Sequence, residues 1–187
     1  MGKKQERLIQ TRMGQFSIPV ENILVFPRGL IGFEGHREFT LIRIKDDSPF
    51  MILQSLSSPE LGLLVTDPFA FIGDYKINVG DQELKQLKLE SVEQTAILVT
   101  VTIPPGQPEQ TTLNLSGPLV INHEAKIGMQ VPQVDLAFPS HYQPGSQSFT
   151  GAQAEPAAGQ ESTAPDSPNS PDSPNSPDAP AKTDAKH

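Results

Sequence analysis

Along this chain, apolar and polar positions alternate with a period of two more often than they recur at helical spacing. The clearest case is TAILVTVTI at residues 95–103. There Ile97, Val99, Val101 and Ile103 fall on one face, and Ala96, Leu98, Thr100 and Thr102 on the other, the period of a strand with one face in a core. The following PPGQPEQ supplies proline and glycine that cannot continue a ladder, and TTLNL resumes the alternation at Leu113 and Leu115. A long hairpin over residues 95–115 is therefore predicted. Shorter strands are expected in QFSI, NILVF, FTLIRI, FMILQSL, LGLLV, GPLVIN and IGMQV. One helix is predicted in DQELKQL, with Asp81 as its cap, Glu83 in the first turn, and Leu84 and Leu87 on one face. Many short strands separated by turn signals point to an all-β fold, a mostly antiparallel barrel or sandwich with one or two short helices.

The run FPRGLIGFEGHREFTLIRI breaks the alternation with glycines at 29, 32 and 35. A phosphate-cradling loop needs a Gly-x-Gly start or a terminal Gly-Lys-Ser/Thr that aims backbone N–H groups and a lysine at an anion, and neither occurs here. The expected role is backbone geometry: glycine reaches positive φ without steric cost, and Pro-x-Gly fits a turn whose first φ the proline has already set. Glu34, beside these glycines, is expected to be a solvated turn carboxylate.

From Phe149 onward the alphabet changes to Ala, Gly, Gln, Ser and Pro, and Ser-Pro-Asn and Ser-Pro-Asp alternate over residues 167–178. Such a segment cannot offset its ordering entropy by apolar burial. The expected organisation is a flexible N-terminus at 1–12, a β domain at 13–145 and a disordered Ser/Pro-rich tail at 146–187. A body of that size can bury enough surface for one core without staples, and the chain contains no cysteine. No secretory signal is legible in MGKKQERLIQTRMG, and nowhere do 18 apolar residues run together. The expectation is a cytoplasmic protein that does not meet the membrane.

The net charge is −8 over the 187 residues, and over residues 13–150 there are 8 Lys/Arg against 15 Asp/Glu. Nucleic acid, which is held by clustered cations, would be repelled by such a body, whereas a basic protein would be attracted. Catalytic chemistry leaves little trace. His36, His123 and His141 share no metal-ligand spacing. Ser140 and His141 are sequence neighbours that cannot easily face each other as nucleophile and base. Asp46 and Asp47 sit in KDDSP, where aspartate suits a turn. No catalytic residue, metal site or cofactor is expected, and the chain reads as a binding protein rather than an enzyme.

Taken in order, FPRGLIGFEGHREFTLI, then PFMILQSLSSPELGLLVTDPFAFIGDY, then TTLNLSGPLVIN ending in GMQV resemble the flagellar assembly factor family FliW over residues 14–142. The resemblance implies a small β-barrel-like fold and a cytoplasmic binding function. Its partners would be flagellin and the translational regulator CsrA, whose repression of flagellin translation is relieved by binding. The protein would be a monomer when free. Gly29, Gly32, Phe33, Gln54, Pro68, Tyr75, Asn114, Pro118, Asn122 and Gln130 match the family's pattern, with turn geometry and core packing as their expected roles. For CsrA contact, charge points to the acids Asp67, Asp74, Glu90 and Glu93. For flagellin, an apolar groove or a strand edge near TAILVTVTI is expected, since unpaired ladder groups can accept a partner. Two other readings stay open: a flagellin chaperone that does not bind CsrA, and a small-molecule-binding β-barrel.

Overall fold

The computed structural model describes residues 5–134 and 138–145. Ten strands and one α-helix follow in the order β1 (Glu6–Thr11), β2 (Gly14–Pro19), β3 (Ile23–Val25), β4 (Glu38–Arg43), β5 (Phe50–Ser55), β6 (Gly62–Thr66), α1 (Asp81–Leu87), β7 (Thr95–Thr102), β8 (Thr112–Leu113), β9 (Leu119–Asn122) and β10 (Ile127–Gln130). The sheet runs β6-β5-β4-β3-β10-β9-β7 and closes on itself where β6 pairs with β7. A seven-stranded barrel results, antiparallel except at β3 and β10, which pair in parallel at Val25 and Ile127. Closure rests on two residue pairs, Val65 with Thr100 and Thr66 with Val99. β8 extends the β7 edge beyond β9, and β1 and β2 form a separate hairpin.

The period of two sends alternate residues to opposite faces, and in this barrel both faces are covered. One apolar cluster fills the interior: Leu24 from β3, Phe39 from β4, Leu53 from β5, Val65 from β6, Leu98 from β7, and Leu119 and Ile121 from β9, with Phe26 plugging the space. The rings of Phe26 and Phe39 meet edge to face at 5.4 Å. β10 contributes Gly128 opposite Phe26, where any Cβ would collide with the ring. The interior is thus packed with side chains and not hollow, as small barrels usually are.

Three outer clusters coat the wall. The β1–β2 hairpin lays Ile9 and Ile18 on Ile42 and Ile52 of β4 and β5. Helix α1 sets Leu87 against Val120 and Met129 of β9 and β10. Residues 71–77, together with Phe138 and Tyr142, cover Val99, Val101, Leu113 and Leu115. This last strap is tied by Leu113 N donating to Tyr142 O (2.7 Å), Tyr142 N to Leu113 O (2.9 Å) and Leu115 N to Pro139 O (3.1 Å).

Several expectations need correction. β7 has apolar cover on both faces over most of its length: Val99 and Val101 pack under the outer strap with partly buried Ile97 beside them, while Ala96 and Leu98 point into the barrel. Period-two patterning reports which residues share a face but not whether the second face is covered from elsewhere in the chain. The N-terminus is not flexible throughout 1–12, because Glu6–Thr11 is an ordered strand paired with Gly14–Pro19; two apolar residues among charges did not reveal it. Asp81 is the first helical residue, not the cap; Gly80 holds the cap position without a side-chain hydrogen bond. The hairpin over 95–115 forms, with Val101 opposite Leu113. The Ser/Pro-rich stretch expected to be disordered, 146–187, lies outside the described residues.

Candidate partner-binding groove and surrounding surface

Beyond Thr66 the chain leaves the barrel wall at Asp67-Pro68. Proline at the first helical position and an aspartate cap, whose Oδ1 accepts from Phe69 N at 2.8 Å, turn it into a short 3-10 helix, Pro68–Ala70. The chain then crosses outside the wall to α1, which ends with Lys88 in the left-handed region at φ 54°. A second 3-10 turn, Val92–Gln94, feeds β7. Between this excursion and β7 lies an open groove of about 640 Å³, walled by Phe69, Ile77, Leu84, Leu89, Val92 and residues 95–98. Asp67 is the one charged residue in its lining. Phe69 is 48% exposed and Val92 83% exposed, so apolar surface is presented to solvent where the groove opens.

The four acids expected to contact CsrA do not form one cluster. Asp67 lines the groove, and Glu90 and Glu93 are exposed on either side of Val92. Asp74 is exposed elsewhere on the strap, 4.0 Å from Lys76. The Glu93 carboxyl is held below the usual carboxylate range by its own backbone N–H and the Ser91 hydroxyl. Gln94 organises this corner: its Oε1 accepts from Glu90 N at 3.0 Å and its Nε2 donates to Glu124 at 2.8 Å.

Of the family-pattern residues, six meet at one end of the barrel. Gly29 (φ 69°) and Gly32 (φ 84°) shape the loop after β3, and Gln130 clamps it by accepting from Ile31 N at 3.0 Å while donating to Gly117 O at 3.2 Å. A cleft of about 340 Å³ there is lined by Ile31, Phe33, Asn114 and Gln130 among others, and Pro118 accepts from Val131 N nearby. The Glu34 carboxylate is exposed, as expected, yet it also accepts from Gly32 N at 2.9 Å. The remaining four are dispersed. Gln54 Nε2 donates to the carbonyls of Ser55, Ser58 and Leu61 in the β5–β6 turn. Asn122 Nδ2 donates to Leu87 O and Lys88 O at the end of α1. Pro68 is buried behind Asp67. The buried Tyr75 hydroxyl donates to Leu115 O at 2.7 Å, and burial pushes its pKa up.

Sequence reasoning missed the apolar groove wall, because Phe69, Leu84 and Val92 come from three separate turns and helices. The one local signal was Val92 standing among Glu90, Ser91, Glu93 and Gln94, a large apolar residue with no apolar neighbour to share a face. Among the described residues no group of three or more His, Asp or Glu is placed to hold a metal. No helix there is long and apolar enough to cross a membrane.

Barrel, strap and groove together define a small, filled, seven-stranded β-barrel protein with an open apolar groove and carboxylates nearby. Comparison with known proteins makes the assignment specific. The FliW protein family matches residues 7–144. The flagellar assembly factor FliW of Nitratidesulfovibrio vulgaris (strain DP4) is 54% identical over 142 residues, 76% of this chain and 82% of the relative. That of Desulfovibrio desulfuricans is 45% identical over 135 residues, 71% of this chain and 81% of the relative. A crystal structure of the flagellar assembly factor FliW superposes with a TM-score of 0.69 at 30% identity, covering 73% of this chain and 96% of the other. This chain belongs to the FliW family of flagellar assembly factors.

Proposed function

We propose that this protein acts in the cytoplasm by binding and not by catalysis, with flagellin and CsrA as alternative partners. Free flagellin would occupy it and leave CsrA to repress flagellin translation; export of flagellin would release it to remove CsrA. The observation that carries this reading is family membership over residues 7–144. Two physical features support it. An open apolar groove suits a partner held by apolar burial, at roughly 25 cal/mol per Å². The acidic body, with Glu90 and Glu93 exposed near the groove, suits a protein that carries positive charge to hold RNA.

Co-purification with each partner tests the reading directly, and capture of flagellin without CsrA would favour the simpler chaperone. Surface plasmon resonance over a salt series tests the division of labour. Reversing Glu90 and Glu93 together to Lys is expected to slow CsrA association about tenfold, equivalent to ~1.4 kcal/mol, and to leave flagellin affinity within a factor of about three. CsrA association that is independent of salt would remove the electrostatic part of the proposal.

A further inference from the structure

The closure of the barrel is incomplete along β7. On one edge β7 pairs continuously, residues 95–98 with β9 and residues 101–102 with β8. On the other edge β6 reaches only Val99 and Thr100 before leaving at Asp67. No backbone hydrogen bond among the described residues joins residues 67–79 to residues 95–98. His123 N donates to Gln94 O and Asn114 N to Thr100 O, so even-numbered residues of this strand direct their backbone polar groups toward β9 and β8. The strand alternation then turns those of Thr95 and Ile97 toward the opposite edge. Thr95 N–H is taken by Val92 O in the preceding turn. Among the described residues, what remains without a backbone partner on the open edge is the Ile97 N–H, the Ile97 C=O and the Thr95 C=O. That edge forms one wall of the apolar groove, which is lined by residues 95, 96, 97 and 98 in succession.

From this geometry we infer that the groove is a strand-addition site: an extended, apolar peptide segment with basic residues at its ends lies beyond the end of β6, between residues 67–79 and β7, and pairs with Ile97. An apolar helix satisfies its own backbone and would cover these three groups without bonding them, which costs free energy for each. A strand bonds them and places alternate side chains on the two apolar faces of the gap. The four residues 95–98 match an extended segment of about 13 Å. The basic ends follow from charge: over residues 67–98 six carboxylates stand against three lysines, and Asp67 lies in the lining itself. The inference deepens the binding reading above by naming how this site engages a partner.

The probe is the blocked peptide acetyl-Lys-Val-Thr-Ile-Thr-Val-Lys-amide, titrated into the full chain and followed by amide NMR and hydrogen exchange. The Ile97 amide is expected to shift and to exchange at least tenfold more slowly at saturation. Methylating alternate peptide nitrogens, or exchanging both lysines for glutamate, should weaken binding at least tenfold. Ile97→Pro removes the one free donor and should weaken binding to the same degree. Because that variant also alters packing, Val92→Lys, which removes apolar surface at an exposed wall position and repels the peptide's lysines, provides the second test and should weaken binding of the parent peptide likewise. Absence of binding up to millimolar peptide, or equal binding of the methylated peptide, would overturn the site. The peptide test stands without flagellin, so a chain that binds the peptide and not flagellin would defeat the partner assignment and leave this site in place.

Discussion

Gly29 and Gly32 are both held at positive φ, yet they should respond differently to substitution. At Gly32 an added Cβ meets nothing within 4 Å, so Gly32→Val should cost only the backbone strain, about 1–3 kcal/mol in urea unfolding. At Gly29 an added Cβ would also lie 2.6 Å from Glu34 Cα. Gly29→Ala is expected to cost more than Gly32→Ala, and the reverse order would contradict this description of the turn. Glu34 adds a pH signature. Backbone N–H groups, Gly32 first, hold its carboxyl below the usual value. A depressed folded pKa contributes stability that is present above the unfolded value and is lost as pH falls through the folded one. An NMR titration should place the Glu34 midpoint below that of an ordinary glutamate, and the difference should shrink in Gly32→Pro, which lacks the first of these donors but keeps the Glu34 N–H.

Elements in this protein are joined by buried amides more than by ion pairs. The ion pairs Arg7–Glu38 and Arg12–Glu60 are exposed and should contribute about 0–1 kcal/mol each. Asn122, 1% exposed, instead bonds two carbonyls at the end of α1 with Nδ2 and receives the amides of Glu124 and Ala125 with Oδ1. It therefore fixes α1 to β9 and closes the β9–β10 turn with one side chain. Asn122→Ala leaves buried carbonyls without donors and should cost about 2–3 kcal/mol. Asn122→Asp should cost more near neutral pH, because a carboxylate would face Leu87 O and Lys88 O. Chemical denaturation of the two variants compares them directly.

For the whole molecule, the strap at 138–142 is the last described segment that packs on the barrel. Phe138 packs on Tyr75 at 5.0 Å, and Tyr142 and Pro139 pair with the β8 region. A chain ending at Gly145 should keep its thermal midpoint, since the remaining Ser/Pro-rich sequence carries Phe149 as its one large apolar residue. One ending at Val134 should lose several degrees, because Val101, Leu113 and Leu115 lose part of their cover. Calorimetry of both truncations decides this, and a drop at Gly145 would show that the tail contributes to the fold.

By itself the sequence determined most of the strands, all but β1, because alternation is local and each of those strands carries its own. It also determined the family, through an ordered set of turn motifs, and the absence of a compact metal-ligand motif. Several features were settled only in three dimensions. Whether the second face of β7 meets water or a strap depends on residues 71–77 and 138–142, which are distant in sequence. Strand β1 is stable because Ile9 finds Ile18 and Ile42, not because Glu6–Thr11 is a strong strand former. The groove arises where β6 departs at Asp67-Pro68 before β7 has ended, so its wall is assembled from segments that carry no common pattern. Local alternation records which way a side chain points. Only closure of the barrel decides what stands opposite it and which backbone groups are left without a neighbour.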